Sequence, residues 1–334
     1  MNKILHFLLI ILLLFLAENN GLASSTVIKI SLITPEGSTW TNALDQMARE
    51  IEDKTQNAVT FKIYAGGISG DELDVLRKMR IGRIHAAGFS GVGLGIIAPR
   101  VRILEAPLLF KDYGEIDLVR ETLFDDFAAD FEKEGFVLLG FAEAGFVYFF
   151  SKIQMSGSQG FESVKMWVWK GDPIAKTSLD AFGVKAYPLH IADVNTGLET
   201  GMINSFYSPP LGAIVFQWYP KIKYMLDFPM VNSTGALVIK KDIFDSLSKK
   251  NQDIIRAVAR KFCNELIQLA RKNNAEALKI LKKNGVTFEN PTPAQVISLQ
   301  QTAKKIYQKH MTDIYSTDLF NKVEELLLAH RKSS

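Results

Sequence analysis

The stretch VIKISLITPEGSTWTNALDQMAREIEDKTQNAVTFKIYAGGISGDELDVLRKMRIGRIHAAGF, residues 27–89, decides the fold. Val27–Ile33 is dominated by Val, Ile and Leu and is stopped by Pro35, which reads as a strand. Ser38-Thr39 then opens a helix from Trp40 to about Lys54, with Leu44, Met47, Ala48 and Ile51 on one face. Val59–Tyr64 is a second strand closed by Gly66-Gly67, Asp71–Ile81 a second helix, and Ile84–Phe89 a third strand. This β-α-β-α-β order implies a parallel sheet with crossover helices.

Outward from that stretch, Pro99 and Pro107 bracket an irregular segment. Tyr113–Glu134 reads as one helix, and Phe136–Ala142 and Phe146–Phe150 read as strands. A second α/β set begins near Lys165: strand Lys165–Trp169, helix Pro173–Phe182, strand Lys185–Leu189, short helix Val194–Thr200, strand Ile203–Tyr207. Pro209-Pro210 starts a helix ending near Tyr219, and Ala236–Ile239 is a strand returning to the first set. From Lys249 to Asn284, Ile255, Val258, Phe262, Leu266, Leu269, Ala277 and Leu281 recur at helical spacing with no Pro or Gly until Gly285. Such a helix would be about 50 Å long, enough to span two lobes, and a bend in the polar Arg271–Asn274 stretch would be compatible with that. Thr292-Pro293-x-Gln295 is a capping box, and Leu319–His330 is the last helix. The expected architecture is a hinged α/β protein. One lobe comprises 24–146 plus 236–265, the other 147–235 plus 275–334, the helix 249–284 connects them, and ligand sits between lobes at the carboxyl ends of strands.

The 334-residue chain is 47% hydrophobic and 22% charged, a mix suited to a globular core. A formal charge of +3, spread along the chain with no basic run, argues against nucleic acid. Lys3, the apolar run Ile4–Ala17 and the small residues Gly21 and Ala23 read as a secretory signal peptide, residues 1–23. The run is shorter than the roughly 20 residues a membrane span needs. Cys263 is the one cysteine, so no intrachain disulfide can form, and its helical context suits a buried small hydrophobe. His85, His190, His310 and His330 do not pair at metal-ligand spacing. No G-x-S-x-G or phosphate-loop motif occurs. Gly91-Val-Gly93-Leu-Gly95 lacks the third glycine of the dinucleotide fingerprint, since Ile96 stands there, and reads as a hinge-side loop. The residues therefore point away from an enzyme and call for no metal or cofactor.

Several motifs in order resemble the solute-binding subunits of TRAP transporters, the DctP-like group. Ala65-Gly-Gly-Ile-Ser-Gly70-Asp-Glu72 is similar to that family's GGQLG-x-E turn. Arg80-Ile-Gly82-Arg-Ile84, Ala98-Pro99 through Ala106-Pro107-Leu-Leu-Phe110, and Gly140–Phe146 follow. Lys165-Met-Trp167-Val stands where the family has KIRV, and Leu198-Glu-Thr-Gly201-Met-Ile-Asn204-Ser-Phe-Tyr-Ser208-Pro209 where it has LQTGVVDGQENP. The resemblance implies a type II-like periplasmic binding protein in which two lobes close over a ligand and a long helix spans both. It implies delivery to small and large membrane subunits driven by an ion gradient. For some members it also implies a helical-repeat periplasmic partner.

The departures are informative. The family holds carboxylates with the Arg of KIRV, whose planar fork pairs both oxygens; here that residue is Trp167. A second family Arg is Val147, and the Asn before Pro is Ser208. No arginine occurs between Arg120 and Arg256. The expected ligand contacts are Trp40, Phe146, Tyr148, Trp167, Trp169, Asn204, Phe206, Tyr207, Ser208 and Trp218. They form an aromatic cleft suited to a hydrophobic or amphipathic molecule. Glu72 is expected to cap the helix beside it. A carboxylate ligand remains open as the alternative, using a cation such as Arg83, Arg100 or Arg102.

Overall fold

A computed structural model describes residues 25–156, 160–310 and 314–333; the signal-peptide reading lies outside them. The opening run folds as β1 (Thr26–Ser31), α1 (Thr39–Lys54), β2 (Val59–Tyr64), α2 (Glu72–Arg80) and β3 (Ala86–Ser90), with the parallel order β2-β1-β3. Ser38 caps α1 by accepting from the Thr41 amide, and Leu44, Met47, Ala48 and Ile51 are buried as their spacing requires.

Next come α3 (Gly91–Ile97), a 3-10 segment Pro99–Glu105, α4 (Tyr113–Thr122) and α5 (Phe124–Lys133). The single helix expected over 113–134 is two. At the junction Leu123 leaves helical geometry with its side chain wholly buried, and Phe127 and Phe131 of α5 reach the core that also holds Ile116 and Val119 of α4. Gly91-Val-Gly93-Leu-Gly95 is the helix α3 rather than a loop.

Two long antiparallel strands, β4 (Phe136–Ser151) and β8 (Tyr224–Lys240), join the two halves of the sheet. The sequence pattern breaks β4 into two pieces because Glu143-Ala-Gly145 interrupts the apolar run. The strand accommodates these residues with a register shift, and Gly145 takes φ +106°, where a Cβ would run into the Asn274 side chain. Only the last part of β8 is legible in the sequence. Its middle, Asp227–Gly235, carries polar residues and Pro229 yet pairs with β4 along much of its length. One end of β8 pairs with β3, Ala86 opposite Ile239. The far end of β4 pairs with β7 (Ser205–Ser208), Tyr148 opposite Ser208.

The second set is β5 (Lys165–Trp169), α6 (Pro173–Ala181), β6 (Lys185–Leu189), α7 (Val194–Thr200) and β7, with β5 parallel between β6 and β7. Helix α8 (Pro210–Val215) stops at Phe216, short of Tyr219, because Gln217 turns to φ 57°. After α9 (Lys241–Asp245), α10 (Lys249–Lys283) runs unbroken for 35 residues, about 50 Å. Arg271–Asn274 is no break in it. Asn274 Nδ2 donates to Ala144 O at 2.7 Å, and its Oδ1 accepts from the Leu211 amide at 2.9 Å, so one side chain ties β4 to α8.

Strand β9 (Thr287–Glu289) lies beside β8, followed by α11 (Pro293–His310) and α12 (Thr317–Ser333). The α11 capping box forms reciprocally: Thr292 N donates to Gln295 Oε1 (2.9 Å) and Gln295 N to Thr292 Oγ1 (3.2 Å). Helix α12, read from sequence with the second lobe, packs on α4 of the first set, and Arg331 pairs with Glu115 at 2.6 Å. Among the described residues no helix is long and apolar enough to cross a membrane.

Candidate functional site

The two halves face each other across a cleft of about 280 Å³, floored by β4 and β8. Its first-lobe wall includes Trp40 of α1, Glu72 at the start of α2, Ser90-Gly91 at the β3–α3 junction, and Arg102 and Glu105. The opposite wall includes Trp167 and Trp169 of β5, the start of α6, Tyr207, Phe216 and Trp218. All four tryptophans of the chain line it.

Strand alternation puts Trp167 and Trp169 at the cleft and Met166 and Val168 in a core on the other face. Trp167 is 2% exposed, stacks on Tyr207 with centroids 5.2 Å apart, and meets Trp218 edge-on at 5.2 Å. Its Nε1 donates to Leu189 O at 3.0 Å, so the indole is both hydrogen-bonded and wedged. Trp169 Nε1 reaches across the cleft to the Asp71 carboxylate at 3.1 Å, and His190 Nδ1 meets the same carboxylate at 3.0 Å. The lobes thus touch directly at the cleft's edge.

Of the residues expected at the ligand, Trp40, Trp167, Trp169, Tyr207, Ser208 and Trp218 line the cleft. Phe146, Tyr148, Asn204 and Phe206 do not. With the register shift after Glu143, β4 turns Val147 and Phe149 to the cleft and Phe146 and Tyr148 away from it. Phe146 packs 4.6 Å from Tyr113, and Phe206 stacks on Phe150 at 5.0 Å, behind Trp218. Asn204 pins β7 to β5: its Oδ1 accepts from Lys165 N (2.7 Å) and its Nδ2 donates to Ser163 O (3.0 Å). Ser208 lines the cleft, but its hydroxyl donates to Pro209 O at 2.8 Å.

Residue-by-residue reading missed the charged floor of the first lobe. Glu72 does not cap its own helix. Asp71 does, accepting from Glu72 N at 2.7 Å. The Glu72 carboxylate instead caps α3, accepting from Ser90 N (2.7 Å), Ser90 Oγ (2.9 Å) and Gly93 N (2.8 Å). Burial outweighs these bonds and raises its pKa to about 7. The glycines of α3 make room for the acids, since a Cβ at Gly91 would collide with the Glu105 carboxylate and one at Gly93 with Glu72. Glu105, also raised to about 7 by burial, accepts from Thr234 N at 2.8 Å.

Arg102 Nε lies 2.8 Å from Glu105 Oε2, although the angle is not that of a hydrogen bond. Arg102 Nη2 donates to Asp172 at 3.0 and 3.3 Å. Asp172 in turn caps α6 by accepting from the Ile174 and Ala175 amides. A buried ion pair therefore bridges the lobes. Among the described residues lining the cleft Arg102 is the one cation, and both neighbouring carboxylates engage it. Of the other two arginines considered, Arg100 pairs with Asp130 at 2.7 Å and Arg83 is exposed. Part of the cavity wall is apolar, with Ala43, Leu44 and Met47 of α1 and Phe262, Cys263 and Leu266 of α10. Cys263 is buried, and burial alone pushes its thiol up to about 12, so it serves as wall rather than nucleophile.

Two α/β halves, hinged by two long strands and closed over one cleft, define a binding protein that encloses a small solute. Residues 30–313 match the family model described as DctP, bacterial extracellular solute-binding protein, family 7. The chain belongs to this family, the solute-binding proteins of TRAP transporters. It is 23% identical over 292 residues to a solute-binding protein of Verminephrobacter eiseniae, covering 86% of each chain. It is 21% identical over 288 residues to the sialic acid-binding periplasmic protein SiaP of Vibrio cholerae, covering 84% of this chain and 88% of that protein. A crystal structure of a TRAP periplasmic solute-binding protein from Haemophilus influenzae with bound L-gulonate superposes with a TM-score of 0.85 at 22% identity. That match covers 90% of this chain and all of the other.

Proposed function

We propose that this protein encloses a hydrophobic or amphipathic small molecule in the periplasm and hands it to the small and large membrane subunits of an ion-gradient-driven transporter. One observation carries this reading: Arg102, the one cation among the described residues lining the cleft, is held by Glu105 and Asp172, while the facing wall presents Trp167, Trp169, Tyr207 and Trp218. The Haemophilus and Vibrio relatives bind L-gulonate and sialic acid, both carboxylates. Where the resemblance implies two arginines that serve a carboxylate, this chain has Trp167 and Val147. Removing apolar ligand surface from water here gains about 25 cal/mol per Å², whereas a carboxylate brought in without a free partner loses its hydration.

The test is denaturing solvent extraction of freshly purified protein, with mass spectrometry of what is released. A stoichiometric lipid, fatty alcohol or similar molecule supports the reading. A sugar acid or keto acid overturns it in favour of a second reading, in which a ligand carboxylate takes the place of Asp172 on Arg102. That second reading draws on the guanidinium's place in the cleft wall.

A further inference from the structure

The short loop that links β5 to α6, Trp169-Lys170-Gly171-Asp172, docks onto the first lobe. Trp169 Nε1 meets the Asp71 carboxylate at 3.1 Å. Gly171 takes φ +94°, and a Cβ there would stand 3.1 Å from Leu73 Cδ1, so glycine lets the loop sit close against α2. Asp172 accepts from Arg102 Nη2 at 3.0 and 3.3 Å.

The Arg102–Asp172 contact is fixed from both ends, and each side chain is 6% exposed. Pro173 opens α6, and Asp172 Oδ1 accepts from the Ile174 and Ala175 amides at 3.1 and 3.2 Å, which aims the carboxylate at the cleft. The stem of Arg102 lies where Gly95 of α3 leaves room, since a Cβ on Gly95 would stand 2.8 Å from its Cγ and Cδ. Glu105 stands beside Nε, so Asp172 engages a different part of the guanidinium. A ligand carboxylate approaching Nη2 would have to displace a carboxylate that the chain itself supplies. The tethered group gives up little freedom in pairing, whereas a free ligand gives up translation and rotation. The ligand would also meet Glu72 and Glu105 on the same wall.

We propose that Asp172 is the residue that sets ligand charge: it takes the place on Arg102 that a ligand carboxylate would take, and its removal opens the cleft to carboxylates. This rests on the reading of the cleft as a site for a hydrophobic molecule or a neutral amphiphile. Because the lobes are bridged by a carboxylate of the chain, their closure asks no charge of the ligand.

Intrinsic fluorescence reads binding directly, since all four tryptophans line the cleft. Purified wild-type protein and Asp172→Ala, both stripped of endogenous ligand, are titrated with 1-decanol, sodium decanoate and sodium gluconate. The two decyl compounds share a chain length and differ in head charge. The wild type should bind decanol more tightly than decanoate by about tenfold or more. In Asp172→Ala that preference should vanish or reverse, as decanoate pairs with the freed guanidinium. Sodium formate, which replaces the lost carboxylate group, should raise the melting temperature of Asp172→Ala relative to sodium chloride at equal concentration and leave the wild type unchanged. Asp172→Ser keeps an oxygen for the α6 amides and serves in the same measurements if Asp172→Ala does not fold. A folded variant that keeps the wild-type preference for decanol overturns the role of Asp172 and leaves the apolar reading intact. A wild type that binds decanoate or gluconate more tightly than decanol overturns both.

Discussion

Two ionic clusters touch the same pair of long strands, one through Glu143 of β4 and one through the Thr234 amide of β8, and they are built differently. Midway along β4, Glu143 accepts from Arg120 Nη1 at 3.0 Å and from Arg271 at 2.6 and 2.9 Å, while Asp117 also accepts from both arginines. Two acids meet two bases there, and Arg271 also lies 4.2 Å over the Tyr113 ring. In the cleft, Arg102 faces Glu105 and Asp172, with Glu72 on the same wall: three acids and one base. The balanced cluster fastens α10 to β4. In the acid-rich one, burial raises two carboxyls to pKa values of about 7. The first cluster ties the long helix to the strands with matched charges, whereas in the cleft acids outnumber the one base among the described lining residues.

The sharpest way to break this comparison is Glu143→Ala. It leaves two guanidinium groups, 8% and 13% exposed, with Asp117 as their shared acid, and should cost roughly 3 kcal/mol of unfolding free energy in urea titrations. A loss near zero would mean that the Glu143 cluster is not a fastening. Next in size is Trp167→Ala, which should weaken an apolar ligand such as 1-decanol by more than about 1 kcal/mol, read by calorimetry. The variant also loses core packing, so its folding is checked by circular dichroism. Unchanged affinity would make Trp167 wall structure only.

A smaller effect concerns pH. Glu72 has a folded pKa of about 7 against an ordinary value of 4.5, raised by burial. Between those values the folded protein holds a proton that the unfolded chain releases. Its contribution to stability is therefore greatest below about 4.5 and falls as pH rises toward about 7. Glu72→Gln removes that fall, so the variant should gain on the wild type across this window. A parallel pair of stability curves would show that the Glu72 carboxyl titrates normally. The smallest effect is ionic strength: affinity for a neutral apolar probe should change by less than about twofold between low and moderate salt, because no ligand ion pair is made. A steep loss would move the weight to the carboxylate reading.

The opening β-α-β-α-β run, the second α/β set, the long helix and the capping box at Thr292 were all legible, because each rests on local patterns: strand composition, helical spacing, a stop or a cap. The aromatic wall was legible in part. Trp167 and Trp169 follow from alternation on a regular strand, while Phe146 and Tyr148 were expected at the cleft as aromatics of a strand facing it, and Val147 and Phe149 stand there instead. Glu72, Arg102, Glu105 and Asp172 could not be assembled from the chain. Arg102 and Glu105 share one 3-10 segment, but Glu72 and Asp172 stand far from them in the chain and converge on them only when that segment, two helix starts and a strand are packed together. The triplet of glycines in α3 was the one local hint, a run of small residues that makes sense once buried carboxylates press against it.

The α/β class and the order of motifs that resembles the family's were fixed by the chain alone, since these are properties of residue type and spacing. Only the tertiary structure decided which charges are already satisfied and which polar atoms are bare. Whether a buried group is free to meet a ligand depends on partners brought from distant segments, and local pattern carries no record of them.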